Sequence, residues 1–66
     1  MTTQLQIRAA FWQSHPEHED HARRWQIKTA PHNRHNADTR TAFADFVDQL
    51  HREGQITEKL AFRATL

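Results

Sequence analysis

The apolar positions between residues 38 and 53 fall on one helical stripe. Phe43, Phe46, Val47 and Leu50 stand at i, i+3, i+4 and i+7, the spacing of an amphipathic helix with one face in a core. Asn36 or Asp38 is placed to cap its start. Asp48 and Arg52 pair at i,i+4 on the wet side, and Gly54 stands where a left-handed residue ends a helix. At 1.5 Å per residue, a helix over 38–53 is about 24 Å long.

The first segment, TTQLQIRAAFWQSHP, predicts a helix over 3–14. Thr3 and Gln6 match a capping box, and Pro16 sets the end, because proline disfavours helical geometry in the residue before it. The alternation of Thr3, Leu5, Ile7, Ala9 and Phe11 also fits a half-buried strand; Ala9, Ala10 and the glutamines favour helix. The last segment, QITEKLAFRATL, predicts a short helix over 57–64 capped by Thr57, with Ile56 folded back on its first turn.

The middle is less regular. PEHED followed by ARR suits one or two helical turns, with Pro16 at the first position, acids early and arginines late. Beyond Lys28, TAPHNRHN is turn-rich and reads as a long loop. A short hairpin within 22–32 is the alternative for this region. The expected fold is therefore a single all-α domain over 1–66: three principal helices with an irregular basic middle. The expected core is Leu5, Ile7, Phe11, Trp12, Phe43, Phe46, Val47, Leu50, Ile56 and Leu60.

Composition narrows the picture. A 66-residue chain is at most one domain, and a domain of that size buries only about 60% of its unfolded surface. It has no cysteine, so neither disulfides nor a Cys-type zinc site can staple it. The remaining devices are a histidine-bound metal, oligomerisation or tight helical packing. No apolar run approaches the roughly 20 residues of a membrane span. The N-terminus lacks the pattern of a signal peptide, so a cytoplasmic protein without membrane contact is expected.

Net charge is +1, but it is unevenly spread. Residues 1–20 set Arg8 against Glu17, Glu19 and Asp20, whereas residues 21–40 set Arg23, Arg24, Lys28, Arg34 and Arg40 against Asp38 alone. In HARRWQIK the arginines can neutralise phosphate and Trp25 can stack on an exposed base. Arg23, Arg24, Trp25, Lys28 and Arg34 are thus the candidate nucleic-acid contacts. Against this stands the plainer assignment of Trp25 and Ile27 to the core, with the cations as a wet rim.

Other chemistry is thin. HPEHEDH places His15, His18 and His21 three apart, so His18 and His21 are candidates for one metal ion, although the HExxH pattern is missing. An EF-hand centred on Gly54 would draw its ligands from Gln49, His51, Glu53 and Leu60, which excludes calcium. The two helices around Gly54 share the outline of a helix-turn-helix. The polar Glu53 and Gln55 beside the glycine, and the mixed charges Glu58, Lys59 and Arg63 after it, favour a plain corner instead, at which Ile56, Leu60 and Phe62 cover Phe46 and Leu50. With one serine, no cysteine or tyrosine and a single glycine, catalytic residues and a phosphate-cradling loop are lacking. No catalytic residue and no cofactor is assigned, and the chain is expected not to be an enzyme.

The segment DTRTAFADFVDQLHREGQITEKLAFRATL, together with IRAAFW and HP, resembles a group of short uncharacterised proteins of phages, prophages and plasmids. The likeness rests on D-T-R, A-F, a D-F-V-D cluster, R-E-G-Q-I and the final A-T-L; residues 17–35 match nothing in that group. It implies an accessory protein of a mobile element in a bacterial cytoplasm and no particular activity. Two functions follow as expectations. One is a non-enzymatic adaptor or inhibitor that binds an unknown protein. The other is nucleic-acid binding through residues 21–40.

Overall fold

A computed structural model describes residues 1–66 as an all-α domain with no strand. Its helices are α1 (Gln4–Ser14), α2 (Pro16–Arg24), α3 (Ala37–Arg52) and α4 (Glu58–Arg63), with a 3₁₀ turn at His32–Arg34 between α2 and α3. No helix is long and apolar enough to cross a membrane.

Helices α1, α3 and α4 each start where a polar side chain satisfies one of the first free N–H groups. The Gln6 N–H donates to Thr3 Oγ1 at 3.2 Å and the Thr3 N–H to Gln6 Oε1 at 3.2 Å, which completes the capping box. Asn36, rather than Asp38, caps α3 by accepting from the Thr39 N–H at 2.8 Å. Thr57 caps α4 through the Leu60 N–H at 3.1 Å. Helix α2 has no side-chain cap; Pro16 opens it, with Glu17 and Glu19 in its first turn, where negative charge complements the helix dipole.

The ends are equally specific. After α3, the Gln55 N–H donates to the Leu50 carbonyl at 2.9 Å and the Gly54 N–H to the His51 carbonyl at 3.1 Å. This is a Schellman motif, with Gly54 left-handed at φ +75°. Helix α2 ends the same way. The Ile27 N–H donates to the Ala22 carbonyl at 2.8 Å and the Gln26 N–H to the Arg23 carbonyl at 3.2 Å. Here the left-handed residue is Gln26, at φ +58°. The motif brings Ile27 back over the buried Ala22, and so it turns the chain where a hairpin at 22–32 was the alternative. That hairpin is absent: residues 22–24 complete α2, residues 25–31 form irregular turns, and His32 opens the 3₁₀ turn.

The core consists of Ile7, Phe11, Trp12, Ala22, Phe43, Val47, Leu50, Ile56 and Leu66, with Phe46, Leu60 and Ile27 half-buried against it. Two expected contributors are elsewhere. Leu5 is 72% exposed, because it lies about 160° round α1 from Ile7 at 3.6 residues per turn. Phe62 is 91% exposed: at the corner after Gly54, Ile56 alone becomes fully buried and Leu60 partly so, while Phe62 faces water. Thr39 and His35 are buried polar members that the apolar pattern did not reveal.

A Cβ at Gly54 would meet nothing within 4 Å, so substitution there costs backbone strain alone. Gly54→Val is expected to lower stability by at least about 1 kcal/mol. Gln26→Gly, which relieves the same strain at the end of α2, is expected to raise it by about 0.5–1 kcal/mol. Chemical denaturation of the two variants checks both signs.

Candidate interaction surfaces

Arg23, Arg24 and Trp25 sit consecutively at the end of α2. The arginines are tied to acids one turn back, Arg23 to Glu19 at 3.2 Å and Arg24 to Asp20 at 3.1 Å. Lys28 reaches Glu19 from the following turn, at 2.8 Å. That hydrogen bond, with the charges of Lys28 and Arg23, holds the Glu19 carboxyl below its usual range against a smaller opposing effect of burial. Three of the four candidate phosphate contacts are therefore already matched by carboxylates. Arg34 alone stands exposed, on the 3₁₀ turn, without an ion pair. Trp25 is not core: it is 63% exposed, with its ring centroid 6.2 Å from that of His21. Ile27 takes the half-buried position two residues on.

Five of the six histidines, all but His51, serve as internal connectors. His18 Nδ1 lies 3.0 Å from Thr39 Oγ1, and His21 Nε2 lies 3.1 Å from Asn36 Nδ2. Because Asn36 Oδ1 is committed to the α3 cap, its amide donates to His21, whose Nε2 is the bare acceptor. The two candidate metal ligands thus each bond a different residue at the start of α3, and no group of three or more histidine and acidic side chains is gathered around a common point. The Leu66 N–H donates to His32 Nδ1 at 3.2 Å; neutral His32 then carries its proton on Nε2. His35 is 2% exposed and donates from Nε2 to the Ala30 carbonyl at 3.3 Å, while its Nδ1 has no partner. Burial pushes the His35 imidazole below its ordinary value, with the His32 charge adding to the effect and the Ala30 bond opposing it.

Two of the surface clefts have apolar walls. The first, of about 540 Å³, runs between α1 and the loop after α2. Leu5, Ala9 and Trp12 form one wall, at i, i+4 and i+7; Ala30, Pro31 and Leu66 form the other, with Arg8 and Lys28 also lining it. Arg8 is anchored by donating to the Thr65 carbonyl at 2.6 Å. The second cleft, of about 450 Å³, lies between α3 and α4 and is bordered by Phe43, Val47, Ala61 and Phe62, with Arg40 and His32 among its polar residues. The sequence singled out neither. The available signal was Thr39 and Arg40: extending the stripe of α3 one turn back from Phe43 places Thr39 in the core and Arg40 on its flank.

Comparison with protein-family models, with curated proteins and with solved structures finds no match.

Two measurements test this geometry. In a Trp12→Phe background, Trp25 fluorescence is expected to be readily quenched by a soluble quencher, and Trp25→Ala is expected to change stability by less than about 1 kcal/mol; a loss of 3–5 kcal/mol would place Trp25 in the core. For His35, a depressed folded value means that the unfolded chain takes up the proton first. The stability His35 contributes is therefore complete above its ordinary value of 6.5 and is lost as pH falls through and below it. The melting temperature is expected to decline across that window, and less so in His35→Leu. Glu19 acts in a separate, lower window, since its contribution is lost only below its ordinary 4.5.

Proposed function

We propose that this chain is a non-enzymatic protein-binding module, an adaptor or inhibitor, and an accessory of a mobile element acting in the cytoplasm. The observation that carries the reading is the cleft beside α1. Leu5 stands 72% exposed at its edge, in line with Ala9 and Trp12, opposite Ala30, Pro31 and Leu66. An apolar side chain left in water beside an apolar cleft gives up about 1.5–3 kcal/mol of burial free energy, which a partner's apolar side chain would recover. The ion-paired cations at the end of α2 and in the turn after it support the same choice over nucleic acid, because phosphate contact would have to displace Glu19 and Asp20 from Arg23, Arg24 and Lys28.

Nucleic-acid binding remains the second reading, and the exposure of Trp25 beside two arginines favours it. Stacking of a base on that ring is worth about 1–3 kcal/mol. The two readings differ in salt response, since phosphate contacts release counterions and apolar contacts do not.

The test compares the wild type with Leu5→Glu in capture from a nuclease-treated bacterial lysate at low and high salt. Leu5→Glu is expected to fold as the wild type does and to lose, by about tenfold or more, a protein that the wild type retains at both salt concentrations. A partner captured equally by both proteins removes the α1 cleft from the reading. Binding that vanishes with nuclease or salt, and falls in Trp25→Ala, establishes the second reading instead.

A further inference from the structure

Arg40 is the half-buried cation with no acceptor. Its Nε is shielded from water without a hydrogen-bond partner, and none of the chain's ion pairs includes it. Two acids border the same cleft without reaching it. Asp48 is held by Arg52 at 3.1 Å, and Glu58 occupies the first turn of α4. His32 borders the cleft as well. Its Nδ1 accepts from the Leu66 N–H, which leaves Nε2–H as a donor for which the chain supplies no acceptor. Shielded donors are nearly always bonded, and exceptions call for an explanation. Here one shielded, unanswered donor, Arg40 Nε, and one donor open to water, His32 Nε2–H, belong to residues that border a cleft walled by Phe43, Val47 and Ala61 and rimmed by Asp48, Glu58 and Phe62, which is 91% exposed.

We propose that the α3–α4 cleft docks a peptide segment of a partner protein that presents a carboxylate next to an apolar side chain. The carboxylate accepts from the Arg40 guanidinium and His32 Nε2–H, and the apolar side chain lies against Phe43, Val47 and Phe62. A guanidinium with a carboxylate forms a strong, directional hydrogen-bonded pair. The apolar walls and the acids at the rim select against a polyphosphate chain, which would bring several negative charges beside Asp48 and Glu58 while leaving the aromatic wall uncovered. This deepens the protein-binding reading with the chemistry of a partner, at a surface on which Leu5 does not lie, so each site fails on its own evidence.

The test uses the isotope-labelled full chain and two end-blocked peptides, one carrying phenylalanine beside glutamate and the other phenylalanine beside glutamine. The glutamate peptide is expected to shift the Arg40 side-chain, His32 and Phe62 signals saturably, and the glutamine peptide to bind about tenfold more weakly or less. Arg40→Gln is expected to abolish the difference between the peptides, and Phe62→Ser, which alters an exposed position, to weaken both. The proposal is overturned if neither peptide saturates, if both bind equally to the wild type, if the shifts map to Leu5 and Trp12 instead, or if inorganic phosphate shifts Arg40 and His32 as strongly as the glutamate peptide does. The peptide comparison on the wild type decides the question even if Arg40→Gln fails to fold.

Discussion

The ring of Phe11 is the point on which the domain closes. It is wholly buried, and its centroid lies 5.1 Å from Trp12, 4.5 Å from His15, 5.2 Å from Phe43 and 5.8 Å from Phe46. His18 of α2 lies 6.1 Å away. One side chain thus joins α1, α2 and α3. The contacts with Trp12 and Phe43 are edge-to-face, the geometry in which an aromatic pair adds about 0.5–1.5 kcal/mol beyond its buried area. A core of nine buried apolar residues has little redundancy, so the packing of α1 on α3 leans heavily on this cluster.

What the small core leaves open, histidine closes. His15 bonds the Phe11 carbonyl, His18 meets Thr39, His21 meets Asn36, His32 meets Leu66 and His35 meets Ala30. These bonds tie α2 to the start of α3 and fasten the loop between them to the last residue of the chain. Each net hydrogen bond contributes only about 0.5–1.5 kcal/mol, but together they order a segment with few apolar residues of its own. Two of the five use a ring nitrogen that must be bare, because the partner is an amide donor. The histidine richness of a chain without cysteine is in this sense a set of polar ties.

The parts of this fold legible in the sequence are those governed by local rules. The capping box at Thr3, the cap at Thr57, the stripe of Phe43, Val47 and Leu50 and the turn at Gly54 each depend on residues within one or two helical turns. The left-handed turn at Gln26 escaped because nothing in glutamine announces it; it accompanies the return of Ile27 to the core and the bond of its N–H to the Ala22 carbonyl. Leu5 and Phe62 were misplaced for a related reason: each lies on a helix whose core face other residues already fill. Arg40 was legible only as one more positive charge, since its lack of an ion pair is a property of the packed structure.

The unevenness of charge in the sequence suggested a basic strip, but sequence counting treats near and distant charges alike. In the fold, Glu19 and Asp20 lie one turn behind Arg23 and Arg24, and Lys28 returns to Glu19. Exposed pairs of this kind contribute little to stability, typically 0–1 kcal/mol, yet they change what the surface offers a partner: cations already facing carboxylates attract phosphate weakly. Arg40 shows the converse. It is one charge beside Phe43, Val47 and Ala61, and neither Asp48 nor Glu58, which border the same cleft, pairs with it. In a lower-dielectric setting an unanswered charge exerts a stronger pull than several answered ones in water. The one half-buried cation without an ion pair or a side-chain hydrogen bond therefore lies on the flank of α3, at the far end of the basic segment from the paired Arg23 and Arg24.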